Sequence, residues 1–111
     1  MGVNIEKQTD KQAVVKLAGQ LDANMAESFK TDLENVVTNG LTHLVVDMEA
    51  VSSIDSSGLS GLVAGFKTVR GQGGALVLAN VGPQAQVALE MSRLNQVFAV
   101  HTDVASALAS F

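Results

Sequence analysis

The order of apolar patterns predicts an α/β fold: a mixed, mainly parallel β-sheet with an N-terminal antiparallel hairpin and covering helices. Three observations carry this. Two short segments of alternating apolar and polar residues stand close together at the start of the chain. After them, short apolar runs alternate with stretches that are apolar at helical spacing. Clusters of Gly, Asn, Asp and Ser mark the changes between them. The order reads ββαβαβαβα. Strands separated by helices pair in parallel, and a directly connected pair forms an antiparallel edge. The 111 residues fit one compact domain over 1–111, with no linker or internal repeat.

Each element has its own signal. Val3 and Ile5, then Ala13, Val15 and Leu17, alternate with polar neighbours around a turn near Asp10 and Lys11. Gly19-Gln20-Leu21-Asp22 ends the second strand. Asn24 with Glu27 has capping-box spacing, and Ala26, Phe29, Leu33, Val36 and Val37 follow at helical spacing. Asn39-Gly40 stops this helix. Residues 43–48 read as a buried strand and residues 49–54 as a loop. The second helix begins near Ser56, with Leu59, Leu62, Val63, Phe66 and Val69 on one stripe. Gly58, Gly61 and Gly65 form another. Glycine costs about 1 kcal/mol relative to alanine inside a helix, so three imply close approach by a neighbour, with the protein's own sheet favoured over an external partner. Residues 71–74 are a turn and residues 75–79 a buried strand. Pro83 opens a helix carrying Val87, Met91 and Leu94, residues 97–100 form a last strand, and Thr102-Asp103 caps a helix with Val104, Ala107, Leu108 and Phe111 on one face.

Composition excludes several functions. Hydrophobic residues make up 47% of the chain, enough for a core, but there is no Trp or Tyr, so aliphatic residues and four Phe must fill it. The absence of cysteine removes disulfides, thiolate nucleophiles and cysteine-bound metal. The N-terminus lacks a basic segment followed by an apolar one, and no apolar run spans a bilayer, so a cytoplasmic protein without membrane insertion is expected. The net charge is −4. Nine acids and four bases lie in residues 1–55, against two acids and three bases beyond, which gives an acidic first half. Direct nucleic-acid binding needs a basic footprint that this chain lacks, so a protein partner is expected. No P-loop is present, Gly71-Gln72-Gly73-Gly74 precedes a strand, and His43 and His101 each stand alone. No catalytic residues, cofactor or metal is expected. Asp47 follows a buried strand without the acidic pair and the lysine of a receiver domain, and reads as an ordinary strand-end acid.

One segment carries a functional signal. Asp55-Ser56-Ser57-Gly58-Leu59 stands between a strand and a helix, where Asp and Ser cap free N–H groups. In that position it resembles the signature of the STAS domains of anti-sigma factor antagonists. Gly19-x-Leu21-Asp22 and the order of elements over the whole chain also match that family. Ser60 departs from the pattern, which often has glycine or another small residue there. The resemblance implies a bacterial partner-switching regulator of transcription. Unphosphorylated, it would bind an anti-sigma factor that is a serine kinase, and so free a sigma factor. The kinase would phosphorylate Ser56, with Ser57 and Ser60 as alternatives, and a PP2C-type phosphatase would restore it. Gly19, Leu21, Asp22, Asp55, Ser56, Ser57, Gly58 and Leu59 would form the partner-binding surface. Asp55 has two readings, a helix cap or a group that orients the Ser56 hydroxyl. A competing function is an accessory STAS subunit of a lipid or solute transport complex. A small nucleotide-binding or catalytic domain is the weakest reading.

Overall fold

The computed structural model describes residues 2–111. The elements are β1 (Gly2–Lys7), β2 (Gln12–Leu21), α1 (Ala23–Thr38), β3 (His43–Ile54), α2 (Ser56–Gly71), β4 (Ala75–Ala79), α3 (Pro83–Met91), a 3₁₀ turn (Leu94–Gln96), β5 (Val100–His101) and α4 (Val104–Ala109). The five strands lie in the order β1-β2-β3-β4-β5. β1 and β2 are antiparallel and all other pairs are parallel. The fold class read from the pattern is therefore the observed one.

Alternation along the strands divides the core into two layers. Ala13, Val15 and Leu17 of β2, Leu44, Val46 and Met48 of β3, and Leu76 and Leu78 of β4 join Phe29 and Leu33 of α1, Leu62 and Val69 of α2, and Ala85 and Leu89 of α3. The intervening residues Val14, Val45, Val77 and Ala79 face the other way and are covered by Val104, Ala107 and Leu108 of α4 and by Phe111 just beyond it. Residues i and i+2 of a strand share a face, so both layers follow from the same three strands.

The structure moves several boundaries. β3 does not stop at Met48. It runs to Ile54, and its second half pairs with β2 alone, because β4 ends opposite Asp47. Residues 49–54 carry the polarity of a half-covered strand, which reads as a loop. Asp47 lies inside β3 and accepts from the Asn80 side chain at 3.0 Å. β2 ends at Leu21, within the Gly19–Asp22 segment expected to end it. The cap of α1 is Asp22, two residues before the expected Asn24. At its other end Asn39 and Gly40 stop the helix as expected, with Gly40 at φ 94°. β5 is reduced to Val100–His101.

The face of α3 is the largest correction. Val87 and Met91 are 52% and 82% exposed, while Ala85 and Leu89 enter the core. Leu94 lies in the 3₁₀ turn and is half-buried. The glycine stripe of α2 packs within the protein as expected, but mostly against α1 instead of the sheet. A Cβ at Gly61 would stand 2.6 Å from the Ala26 Cβ, and one at Gly65 would stand 2.6 Å from the Phe29 ring.

Two outcomes follow. Leu89→Ala should cost about 2–5 kcal/mol in urea unfolding, whereas Met91→Ala should stay within about 0.5 kcal/mol of the parent. The second concerns α4, whose cap Asp103 has its pKa lowered, first by the backbone N–H of Ser106 and then by the Ser106 side chain. A depressed folded pKa contributes stability above the ordinary carboxyl value, and this is lost as pH falls through the folded value. The protection factors of the α4 amides, taken relative to intrinsic exchange at each pH, should therefore fall on acidification in the parent protein. In Asp103→Asn, where the cap is kept without a titrating group, that fall should be weaker.

Candidate functional site

The ends of β2 and β3 lie side by side, with Gly19 opposite Val51 and Leu21 opposite Ile54. Each strand turns directly into a helix, and the two turns are built alike. Asp22 caps α1 by accepting from the Met25 N–H at 3.1 Å. Asp55 caps α2 by accepting from the Gly58 N–H at 2.9 Å. Both cap residues have extended backbone, as an N-cap requires. The shared pattern, Asp followed three residues later by the N–H it binds, is readable as Asp22-x-x-Met25 and Asp55-x-x-Gly58. That signal would have found the correct cap of α1.

The Leu21 carbonyl joins the two turns. It accepts the Asp55 N–H at 3.3 Å. It also abuts the first turn of α2, where a Cβ at position 58 would overlap the carbonyl oxygen and stand 2.9 Å from its carbon. Gly58 is therefore the residue that lets α2 start against the end of β2. Gly19, at φ 105°, sits beside a register shift in the β2–β3 pairing. That φ is open to glycine at little cost, and the shift brings Leu21 level with Ile54.

The eight residues of the expected partner surface thus come together, but they are not alike. Asp55, Ser56 and Ser57 are exposed, and Gly19, Asp22 and Leu59 are half-buried. Leu21 is fully buried and Gly58 is buried, so these two offer no surface and serve the geometry. Ser56 is the first residue of α2. Of the two readings of Asp55, the cap is the one present in the geometry. Ala26, whose Cβ faces Gly61, was not marked by the sequence pattern as anything but an apolar helix position.

Asp22, Asp55 and Glu49 lie on these strand ends or their caps, Glu49 shares a cavity wall with Lys16, and no Lys or Arg occurs in sequence between Lys30 and Lys67. Among the described residues, the ion pairs are Lys7 with Asp10 at 3.8 Å and Lys16 with Glu6 at 3.1 Å, both on the hairpin. Within the same residues no group of three or more His, Asp or Glu is placed to hold a metal ion. No helix among them is long and apolar enough to cross a membrane.

A sheet in sequential order, an antiparallel edge hairpin and paired helix entrances at the strand ends define the STAS fold. The chain belongs to the STAS domain family, whose model matches residues 4–107. The anti-sigma-B factor antagonist of Bacillus subtilis (strain 168) is 34% identical over 82 residues, which cover 73% of this chain and 74% of that protein. The crystal structure of an anti-sigma factor antagonist from Mycobacterium paratuberculosis matches with a TM-score of 0.85 at 24% identity, covering 97% of this chain and 91% of the other. The Bacillus protein SpoIIAA matches at 22% identity in two states. Its unphosphorylated form gives a TM-score of 0.79 over 91% of this chain and 89% of that one. Its phosphorylated form gives 0.72 over 91% and 92%.

Removing the Asp55 cap should be visible in stability. Asp55→Ala should lose about 0.5–2 kcal/mol in denaturant unfolding, and Asp55→Asn, which still caps, should lose less.

Proposed function

We propose that this protein is an anti-sigma factor antagonist switched by phosphorylation of Ser56. Unphosphorylated, it binds a serine-kinase anti-sigma factor and releases a sigma factor. Phosphorylation by that kinase ends the interaction, and a PP2C-type phosphatase resets it. The observation that carries the reading is the exposed serine at the first position of α2, inside the Asp55–Leu59 motif and beside the Gly19–Asp22 strand end. The relatives named anti-sigma factor antagonists support it.

The physical basis is a charge added to an exposed helix entrance beside a carboxylate. A phosphate brings about −1.5 to −2 charges at pH 7. It would arrive next to Asp55, in a stretch without Lys or Arg from position 31 to 66. At a helix N-terminus an anion is favoured by roughly 0.3–2 kcal/mol, so the fold should tolerate it. SpoIIAA keeps this fold in its unphosphorylated and phosphorylated forms. Against an apolar or acidic partner face, the same charge costs several kcal/mol, and each 1.4 kcal/mol is about tenfold in affinity. Eviction without unfolding is the result.

Purified protein is incubated with each serine-kinase anti-sigma factor of its source genome and ATP, and the phosphate is located by mass spectrometry. It should lie on Ser56. Ser56→Asp should bind the responding kinase at least tenfold more weakly than Ser56→Ala, with both proteins folded by circular dichroism. Equal affinities, or no response to any such kinase, would overturn the proposal. Phosphate on Ser57 or Ser60 would move the switch along the same turn. Association with a transport ATPase instead would favour the accessory-subunit reading.

A further inference from the structure

We propose that Gly61 and Ala26 form a positioning pair that sets where Ser56 stands relative to Asp22. The inference rests on the Ser56 switch proposed above and goes beyond it by assigning a role to two residues outside the motif.

The argument begins with which contacts can yield. At Gly65, the atoms that would meet a new Cβ are the Phe29 ring and a Leu33 methyl, the far ends of rotatable side chains. At Gly58, the obstacle is the Leu21 carbonyl, which also holds the Asp55 N–H. A change there attacks the folding of the turn itself. Gly61 differs from both. A Cβ at this position would lie 2.6 Å from the Ala26 Cβ and 3.2 Å from the Ala26 Cα. Neither atom can rotate away, because both are fixed to the α1 backbone. Carbon atoms rest at about 3.5–4.0 Å. A methyl group at 61 therefore relaxes only by moving the two helices apart, by about 1 Å.

The location of this contact gives the movement its consequence. Ala26 donates its N–H to the Asp22 carbonyl at 2.8 Å, so it belongs to the first turn of α1. Gly61 lies five residues after Ser56, just beyond the first turn of α2. Separation at this point displaces the α1 entrance from the α2 entrance, while the deeper contacts at Phe29 and Leu33 hold the far parts of the helices together. A kinase that docks across both entrances meets Ser56 off its reacting position. A misplacement of about 1 Å can cost up to 10²-fold in rate.

The test compares the parent with Gly61→Ala, Ala26→Gly and the double variant, using the kinase that phosphorylates the parent. Rates are measured well below the melting temperature of every protein. Gly61→Ala should lower kcat for Ser56 phosphorylation tenfold or more, with KM changed less than threefold. Ala26→Gly should resemble the parent. The double variant, in which the methyl group has been moved from one helix to the other, should recover to within threefold. Should Gly61→Ala fail to fold, Ala26→Val pushes on the same gap from α1 and should show the same loss in kcat. Parent-like kcat in the single variant, or a loss that the double variant does not relieve, would overturn the positioning role and leave the switch intact. A parent that no kinase phosphorylates would overturn the switch and this role together.

Discussion

The carbonyl of Leu21 is the point on which the strand-end and helix-entrance geometry of the candidate site depends. It belongs to the last residue of β2, yet it takes the N–H of Asp55 from the end of β3 and closes on the first turn of α2. All three meet there only because residue 58 has no side chain. A buried carbonyl must have a partner, and here that partner is the residue just before Ser56. The two strand ends and the α2 entrance are thus one rigid piece of backbone, with a Leu side chain sealed beneath it.

That arrangement separates the surface from the core. Both hydrophobic layers are complete without any atom of Ser56 or Ser57. No polar or charged residue is buried as a whole among the described ones. A charge placed at the α2 entrance therefore meets solvent, helix N–H groups and neighbouring carboxylates, but no packed core. Surface charge at such a point changes association far more than folding, because folding exposes it in both states while binding would desolvate it.

The sequence was most legible where pattern and burial coincide. Ala13, Val15 and Leu17 share one layer, as their alternation indicated, whereas Val14, which that pattern passed over, faces the other. Asp55, Gly58 and the α2 start were readable because capping needs particular residue types at particular spacing. The misreadings have physical causes as well. Residues 49–54 are strand on one edge only, and their polarity belongs to the uncovered side. In α3, Ala85, Val87, Leu89 and Met91 offer two apolar faces two residues out of phase. Only the neighbouring elements decide that Ala85 and Leu89 go inward. Asn24 and Asp22 are both good caps, and the extension of β2 to Leu21 leaves the role to Asp22.

The motif that identifies the family is accordingly two things at once. Asp55, Ser56 and Ser57 are presented to solvent, whereas Leu21 and Gly58 are held beneath them. A buried residue in such a motif gives no contact area to a partner, yet it can be as restrictive as an exposed one, because it decides whether the exposed ones are in register. Replacing Ser56 changes the exposed surface. Replacing Gly58 changes where everything stands. The same distinction extends past the motif to Ala26 and Gly61, where the spacing of two helices is set by two hydrogens on one side and one methyl group on the other.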